Sequence, residues 1–339
     1  MLRFVLRRLG LTLLTLLGIA TLVFVMIQLI PGDPARTAAG RTASAEQVEA
    51  VRERLGLDES LPVQYGRYLG RLVQGDLGTS VFTFRPVTTD LAEVLPSSLE
   101  LVLAAMLLNL LVAVPIGVVA AVHRDRAADL AARLVVLLGA GVPIFWLGLL
   151  LQYLFGGRLA WLPLAGQTSF GIEVPRVTGM ITVDALLAGD PVAYADAVSH
   201  LFLPAVTLAA PFVAVVARTL RSTLVGVLDT DFVVVARAKG ASSWRVVVRH
   251  GLRNALIPAS TIIGLQLGWM LGSTVLVEAI FGRVGIGAYA TTAVLQSDTF
   301  AVIAVVLVIG AMFTLANLAV DTLQLLLDPR LRPSAGGRA

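Results

Sequence analysis

The chain has 339 residues, of which 57% are apolar and 14% are charged. A soluble domain carries roughly 25% charged residues, so this composition excludes an ordinary soluble enzyme, a disordered chain and a nucleic-acid-binding protein. The sequence has no cysteine, which excludes disulfides and thiolate chemistry. Its three histidines, His123, His200 and His250, share no ligand spacing, which disfavours a zinc site built from histidine.

Six apolar stretches approach the length of about 20 residues that a helix needs to cross the hydrocarbon core. The fourth is the weakest because it contains Pro204 and Pro211, which are tolerated where neighbouring helices satisfy the freed carbonyl groups. We therefore predict an all-α membrane protein with six transmembrane helices. The predicted spans are 9–30, 101–122, 134–155, 201–220, 256–277 and 300–320.

The basic residues predict how these spans are oriented. With both termini in the cytoplasm, 16 of the 26 lysines and arginines lie on inner segments and 10 lie on outer segments. This agrees with the positive-inside rule, so we predict a multi-pass protein of the bacterial inner (cytoplasmic) membrane with an N-in, C-in topology. A signal peptide is an alternative for the first stretch, but its length exceeds a typical apolar region and no A-x-A site follows.

The predicted spans divide the chain into four regions. Residues 1–30 form an N-terminal tail and the first transmembrane helix, and residues 31–96 form an extracytoplasmic loop. Residues 97–330 form a five-helix core that includes a cytoplasmic loop at 221–254, and residues 331–339 form a C-terminal tail. Within the outer loop, SAEQ at 44–47 has the spacing of a capping box, which predicts a short helix that ends before the next glycine.

Charged residues are nearly absent from the middle of the predicted spans. Glu100 and Glu278 lie near outer ends, and Asn109 and Gln266 are the most notable polar residues at mid-span. Both amides are read more readily as helix–helix hydrogen bonds than as substrate ligands. An ion-coupled transporter needs carboxylates or broken-helix ion sites at the midplane, so the energy for any transport is expected to come from elsewhere.

No sequence motif of a nucleotide-binding loop, a zinc protease or a nucleophile elbow occurs in the chain. We therefore predict a protein that is not an enzyme. It is expected to have no catalytic residue, no metal ligand and no bound cofactor of its own.

The inner loop at 221–254 has a helix–glycine–helix pattern. A first short helix is predicted at 231–239, Gly240 ends it, and a second short helix is predicted at 244–250, with the next span beginning at 254. One interpretation is an amphipathic stretch on anionic lipid headgroups, and another is a docking element that enters a groove on a soluble partner. The spacing alone favours the first. The candidate caps of the two helices are Asp229, Thr230, Ser242 and Ser243.

Short motifs run in a fixed order along nearly the whole chain. They are PGDP at 31–34, GDLGTS at 75–80, VPIFWLG at 142–148, HLFLP at 200–204, ARAKG at 236–240, LRNALIP at 252–258, and VEAIF at 277–281 followed by GIG at 285–287. In order and spacing these motifs resemble the permease subunits of binding-protein-dependent ABC importers, and the B-type permease of dipeptide, oligopeptide and nickel importers in particular. The wider family has Glu-Ala-Ala before the glycine, whereas Val234 and Val235 stand at its first two positions here.

The resemblance implies a type I ABC-importer permease fold and one half of a translocation path for short peptides. Nickel complexes or other small solutes are the alternative cargo, and an ion-coupled secondary transporter and a membrane anchor without transport are the rival functions. The implied partners are a second homologous permease subunit, two cytoplasmic ATPase subunits that hold ATP and magnesium, and an extracytoplasmic solute-binding protein. Membrane lipid surrounds the complex, and no nucleic acid takes part.

The resemblance also favours the docking interpretation of the inner loop and implies three groups of site residues. The ATPase-coupling loop comprises Asp231, Ala236, Arg237, Ala238, Lys239, Gly240, Arg253 and Asn254. The outer docking surface comprises Gly75, Asp76, Gly78 and Ser80. The candidate pathway residues are Pro143, Trp146 and Gln266.

Overall fold

The computed structural model describes residues 2–29, 33–40 and 43–327, and this part of the chain contains helices and no β-strand. The predicted tail at 331–339 and the first two residues of the PGDP motif lie outside it. The helices are α1 (Leu2–Leu29), α2 (Pro34–Ala39), α3 (Ala45–Leu55), α4 (Leu61–Val73), α5 (Val87–Val122), α6 (Ala127–Gly141), α7 (Ile144–Leu151), α8 (Ile181–Leu187), α9 (Pro191–Leu228), α10 (Asp231–Ala238), α11 (Ser243–Phe281), α12 (Ile286–Leu295) and α13 (Thr299–Leu327).

Five helices of the described chain are long and apolar enough to cross a membrane. They are α5, α9 and α11, together with Leu6–Leu29 of α1 and Thr299–Val320 of α13. They coincide with five of the six predicted spans, so the prediction of an all-α membrane protein is confirmed. The count of six spans and the N-in, C-in topology remain predictions.

The third predicted span is not one helix. α6 ends at Gly141, Val142 is extended with ψ 125°, and α7 begins after Pro143. Proline lacks a backbone N–H and its ring disfavours helical geometry in the residue before it, which explains the break. A π-helical turn, Gln152–Arg158, continues α7. The prediction of a continuous helix over 134–155 was therefore wrong.

The second short helix predicted in the inner loop is also not a separate element. Residues 243–281 form the single helix α11, with a π-helical stretch at Val246–Leu252. Ser242 caps its N-terminus by accepting a hydrogen bond from the Arg245 N–H, and no glycine turn separates that end from the membrane-spanning part. α11 therefore runs without interruption from the inner loop to the outer end of the span.

Two helices extend well beyond the stretches predicted from hydropathy. α5 has 36 residues and α9 has 38, which at about 1.5 Å per residue exceeds the thickness of the hydrocarbon core of about 30 Å. α5 begins ten residues before the predicted boundary at 97, so the end of the outer loop is helical. A hydropathy window finds only the part of such a helix that lies in lipid.

The core lies where α5 and α9 pack against each other and against α11. Fully buried side chains from all three helices fill it, among them Leu101, Leu208, Met270 and Phe281. α1 lies outside this core and packs against α13 and α4. The three central helices are therefore the framework that positions the rest of the chain.

The short helix predicted in the outer loop is confirmed as α3. The Ser44 Oγ accepts a hydrogen bond from the Gln47 N–H, and the Gln47 side chain accepts one from the Ser44 N–H, which completes the capping box. Gly56 ends the helix with a φ of 66°. Local sequence alone determines this element.

Candidate functional site

The inner loop forms a compact projection, which we call the inner knob (residues 231–245). α10 ends in a turn in which the Gly240 N–H donates to the Arg237 carbonyl and the Ala241 N–H donates to the Ala236 carbonyl. Gly240 has a φ of 82°, a conformation that a side chain resists, although a Cβ there would meet only open space. The prediction that the first helix of the inner loop ends at Gly240 is therefore confirmed. Glycine is favoured at this position because of its positive φ, since a side chain would not clash with neighbouring atoms.

The inner knob exposes several large apolar side chains. Trp244 is 74% exposed, Val234 61% and Phe232 46%. Large apolar side chains exposed close together in the sequence are consistent with an interaction surface. Among the residues predicted for the coupling loop, Ala236 is half-buried and the others are exposed; these are Asp231, Arg237, Ala238, Lys239, Gly240, Arg253 and Asn254.

Buried contacts fix the inner knob to the central helices. Val233 of α10 and Val246 of α11 are fully buried. Val247 packs with Leu220 and Leu224 of α9 in one apolar cluster. These packed side chains therefore join the inner knob to the adjacent parts of α9 and α11.

An ion cluster, which we call the inner ion cluster (Asp129, Arg133 and Arg221), ties α6 to α9. The Asp129 carboxylate is buried and accepts hydrogen bonds from the Arg221 Nε at 2.7 Å and Nη2 at 2.6 Å. It also accepts bonds from the Arg133 Nε at 3.1 Å and Nη2 at 2.5 Å. Arg221 and Arg133 together hold the pKa of this carboxyl well below its usual range.

Replacing Asp129 with asparagine is expected to loosen α6 from α9, because asparagine has one acceptor oxygen in place of two and carries no charge to attract the two guanidinium groups. Charge-assisted hydrogen bonds are worth about 2 kcal/mol each, so a fall in melting temperature should be seen in lipid nanodiscs. The pKa of Asp129 is lower in the folded protein than its value of about 3.9 in the unfolded chain. The difference in stability between wild type and Asp129→Asn should therefore be fully present at neutral pH. It should shrink only as the pH falls below the unfolded pKa and towards the folded one. Asp58→Asn, on the outer loop, is the control; an equal loss of stability in both variants would contradict this role.

At the opposite end of the molecule, the Glu278 carboxylate closes the start of α12; we call this arrangement the outer cap (Glu278, Ser98 and the N–H groups of 286–288). Glu278 accepts hydrogen bonds from the Ser98 Oγ at 2.6 Å and from the Gly287 and Ala288 N–H groups at 2.7 and 3.2 Å. Ser98 in turn accepts from the Ile286 N–H at 2.7 Å. The outer cap therefore joins α5, α11 and α12.

A second buried carboxylate lies beside the outer cap. Glu100 accepts hydrogen bonds from the Thr182 N–H and Oγ1, both at 2.6 Å, and forms an ion pair of 3.2 Å with Arg283. Burial lowers the pKa of Arg283, while Glu100 and Glu278 oppose that shift. The sequence predicts that both glutamates lie near span ends, but it does not predict these partners. The only indication of them is the pair of motifs VEAIF and GIG, which contain Glu278 and the start of α12.

The four residues predicted for the outer docking surface separate into two groups. Gly75 and Asp76 are exposed, and Asp76 accepts a hydrogen bond from the Gly78 N–H at 2.9 Å. Gly78 lies against the Phe300 ring, and Ser80 is 2% exposed and donates to the Asp298 carboxylate at the start of α13. The Ser80 hydroxyl therefore fastens the outer loop to α13 in this chain, and the docking role of these four residues stays a prediction.

The three candidate pathway residues do not share a surface. Pro143 and Trp146 are exposed at the break between α6 and α7. Gln266 is 2% exposed, donates to the Phe212 carbonyl at 3.1 Å and accepts from the Asn109 amide at 2.8 Å. Gln266 therefore links α5, α9 and α11 through helix–helix hydrogen bonds, and its place on a pathway stays a prediction.

Comparison with known proteins gives consistent matches over nearly the whole chain. The family described as "Binding-protein-dependent transport system inner membrane component" matches residues 113–333. The family described as "Binding-prot-dependent transport system membrane comp, N-term" matches residues 1–102. In a structural comparison, a chain of the MetNI methionine ABC transporter in an inward facing conformation has a TM-score of 0.50 at 16% identity, covering 68% of this chain and 93% of that one, which supports the fold.

Curated relatives match at higher identity and nearly full length. The probable D,D-dipeptide transport system permease protein of Escherichia coli K12 is 42% identical and covers 95% of each chain. The di/tripeptide transport system permease protein of Pseudomonas aeruginosa UCBPP-PA14 is 42% identical, and the glutathione transport system permease protein of Salmonella paratyphi A is 39% identical. Each covers 98% of this chain and 99% of its own. The chain therefore belongs to the family of binding-protein-dependent transport system inner membrane components, the permease subunits of ABC importers.

Proposed function

We propose that this chain is the permease subunit of an ATP-driven importer and forms half of the path by which short peptides cross the cell membrane. The observation that carries the proposal is the inner knob, an exposed apolar surface at the end of a helix that continues through the membrane-spanning core. The curated relatives carry names that refer to dipeptides, di- and tripeptides and glutathione, which favours short peptides as the cargo.

The energy for import comes from outside the chain. The sequence has no nucleotide-binding loop, so ATP and magnesium are held by two cytoplasmic ATPase subunits. Their closure on ATP moves the inner knob, and α11 carries that movement as one continuous helix to the outer cap. Alternating access then follows from differential contacts of the ATPases with the two states of the permease.

The path lies between this chain and a second, homologous permease subunit. Buried side chains fill the space between α5, α9 and α11, and the amides of Asn109 and Gln266 bond to each other within it. A peptide therefore has no passage through the centre of this chain and moves along a face that a second subunit completes. A solute-binding protein delivers the peptide to the outer loops, where Gly75 and Asp76 are exposed.

Uptake by the reconstituted transporter tests this proposal. Vesicles that contain both permeases, both ATPases and the binding protein should accumulate a labelled dipeptide only with ATP, and an ionophore that collapses ion gradients should leave uptake unchanged. Nickel complexes added to the same vesicles test the alternative cargo. Uphill uptake by the isolated chain, or uptake that the ionophore abolishes, would favour a secondary transporter and contradict the proposal.

A further inference from the structure

A groove of about 430 Å³ opens between α5, α6 and α9 near the inner ion cluster. Its walls are apolar and include Ile116, Val136 and Leu137. Three arginines, Arg133, Arg218 and Arg221, are also among the residues that line it. The groove therefore combines apolar walls with three basic residues, and it is separate from the inner knob.

The charges in this groove are not fully balanced. Arg133 and Arg221 both pair with Asp129, and Arg133 also lies 3.5 Å from Asp125. Neither of these aspartates lines the groove. Arg218 is exposed in the groove and forms no ion pair with any residue that the structure describes. One of the three lining arginines thus has no ion-pair partner among the residues that the structure describes.

An unpaired guanidinium group at the end of a membrane helix favours an anionic partner. A charge in or near lipid is costly unless it is paired or reaches water, and basic pockets between helices on the inner side bind anionic headgroups. Under the predicted topology, α9 brings Arg218 to the inner leaflet. The rest of the lining is apolar and has few groups for the backbone of a peptide, whereas it suits a hydrocarbon chain.

We propose that this groove binds one phospholipid with an anionic headgroup. The phosphate lies at Arg218, with Arg133 and Arg221 beside it, and one acyl chain lies along Ile116, Val136 and Leu137. A lipid in this position contacts α5 and also α6 and α9, the two helices that the inner ion cluster joins. It therefore stabilises their arrangement by mass action as its concentration rises.

Native mass spectrometry of the full chain, titrated with phosphatidylglycerol or phosphatidylcholine, tests the proposal. Wild type should retain one phosphatidylglycerol in preference to phosphatidylcholine, and millimolar inorganic phosphate should not displace it. Arg218→Gln should weaken that binding roughly tenfold, since a charge-assisted contact is lost. Arg218→Lys keeps the charge and should retain most of the binding, and Arg126→Gln, an equal change of charge at an exposed site nearby, should bind as wild type does.

Three outcomes would overturn the proposal: equal retention of the two lipids, equal binding by Arg218→Gln and Arg126→Gln, or displacement by inorganic phosphate. If Arg218→Gln does not fold, Leu137→Trp serves as the second variant. Its larger side chain occupies the space of the acyl chain, so this variant should not retain the lipid. Because the sequence has no cysteine, a photo-crosslinker on Leu137→Cys can report the occupant in the assembled transporter. Crosslinking to lipid supports the proposal, and crosslinking to the second permease or to peptide contradicts it.

Discussion

A Gly240→Val variant of the assembled transporter is expected to hydrolyse ATP while losing most of its peptide uptake. Gly240 has a φ of 82° between α10 and α11. A β-branched residue in this left-handed region costs about 2 kcal/mol, which disfavours the native shape of the inner knob by a factor of roughly ten or more. Because a Cβ at this position would meet no neighbouring atom, the loss comes from a changed backbone and not from a clash.

The matched control for this variant is Gly226→Val. Gly226 lies in α9 with open space around it and a helical backbone, so the added side chain is tolerated there. The measurement is the ratio of ATP hydrolysed to labelled dipeptide taken up by vesicles of the complete transporter. The ratio should rise roughly tenfold in Gly240→Val and should stay at the wild-type value in Gly226→Val. Normal uptake by Gly240→Val would show that the knob transmits no force.

Replacing Glu278 with alanine is expected to be the most destabilising change at the outer end of the molecule. The variant leaves the Gly287 and Ala288 N–H groups and the Ser98 hydroxyl without their buried acceptor. Unsatisfied buried donors cost about 1–3 kcal/mol each, so the free energy of unfolding should fall by about 3 kcal/mol. The start of α12 should loosen first, since these N–H groups form its N-terminus.

Two comparisons separate this effect from a general loss of charge. Glu278→Gln keeps an oxygen that can accept from the α12 backbone, so its loss of stability should be smaller than that of the alanine variant. Glu173→Ala removes an exposed outer glutamate and should leave the melting temperature in lipid nanodiscs unchanged. Equal melting temperatures for Glu278→Ala and Glu173→Ala would contradict the role of the outer cap.

Sequence reading succeeded where the determinants are local. The α3 capping box needs only Ser44, Gln47 and Gly56, which lie within one short segment. The end of α10 at Gly240 follows in the same way from a residue that adopts positive φ at little cost. The apolar lengths of α1, α5, α9, α11 and α13 also located the spanning helices, because bilayer thickness imposes a length that the sequence displays.

The failures have two physical causes. A hydropathy window averages over Pro143 and therefore joins α6 to α7, although one missing N–H and the restricted Val142 are enough to break the helix. The other features that the sequence does not predict are contacts between long-range partners. Glu278 bonds to Ser98 across 180 positions, and Ser80 bonds to Asp298 across 218. Only the packed fold brings such groups together, so no local pattern predicts that Ser80 is buried.

The central claim is that the inner knob faces the cytoplasm and is gripped there by the ATPase. Val235 is 51% exposed on the knob, and Phe170 is fully exposed on the loop between α7 and α8. Since the wild-type sequence has no cysteine, Val235→Cys and Phe170→Cys each provide a single thiol. In intact cells, a membrane-impermeant maleimide should label Phe170→Cys and spare Val235→Cys. In inverted vesicles, Val235→Cys should be labelled, and bound ATPase should protect it; labelling of Val235→Cys from outside intact cells would contradict the claim.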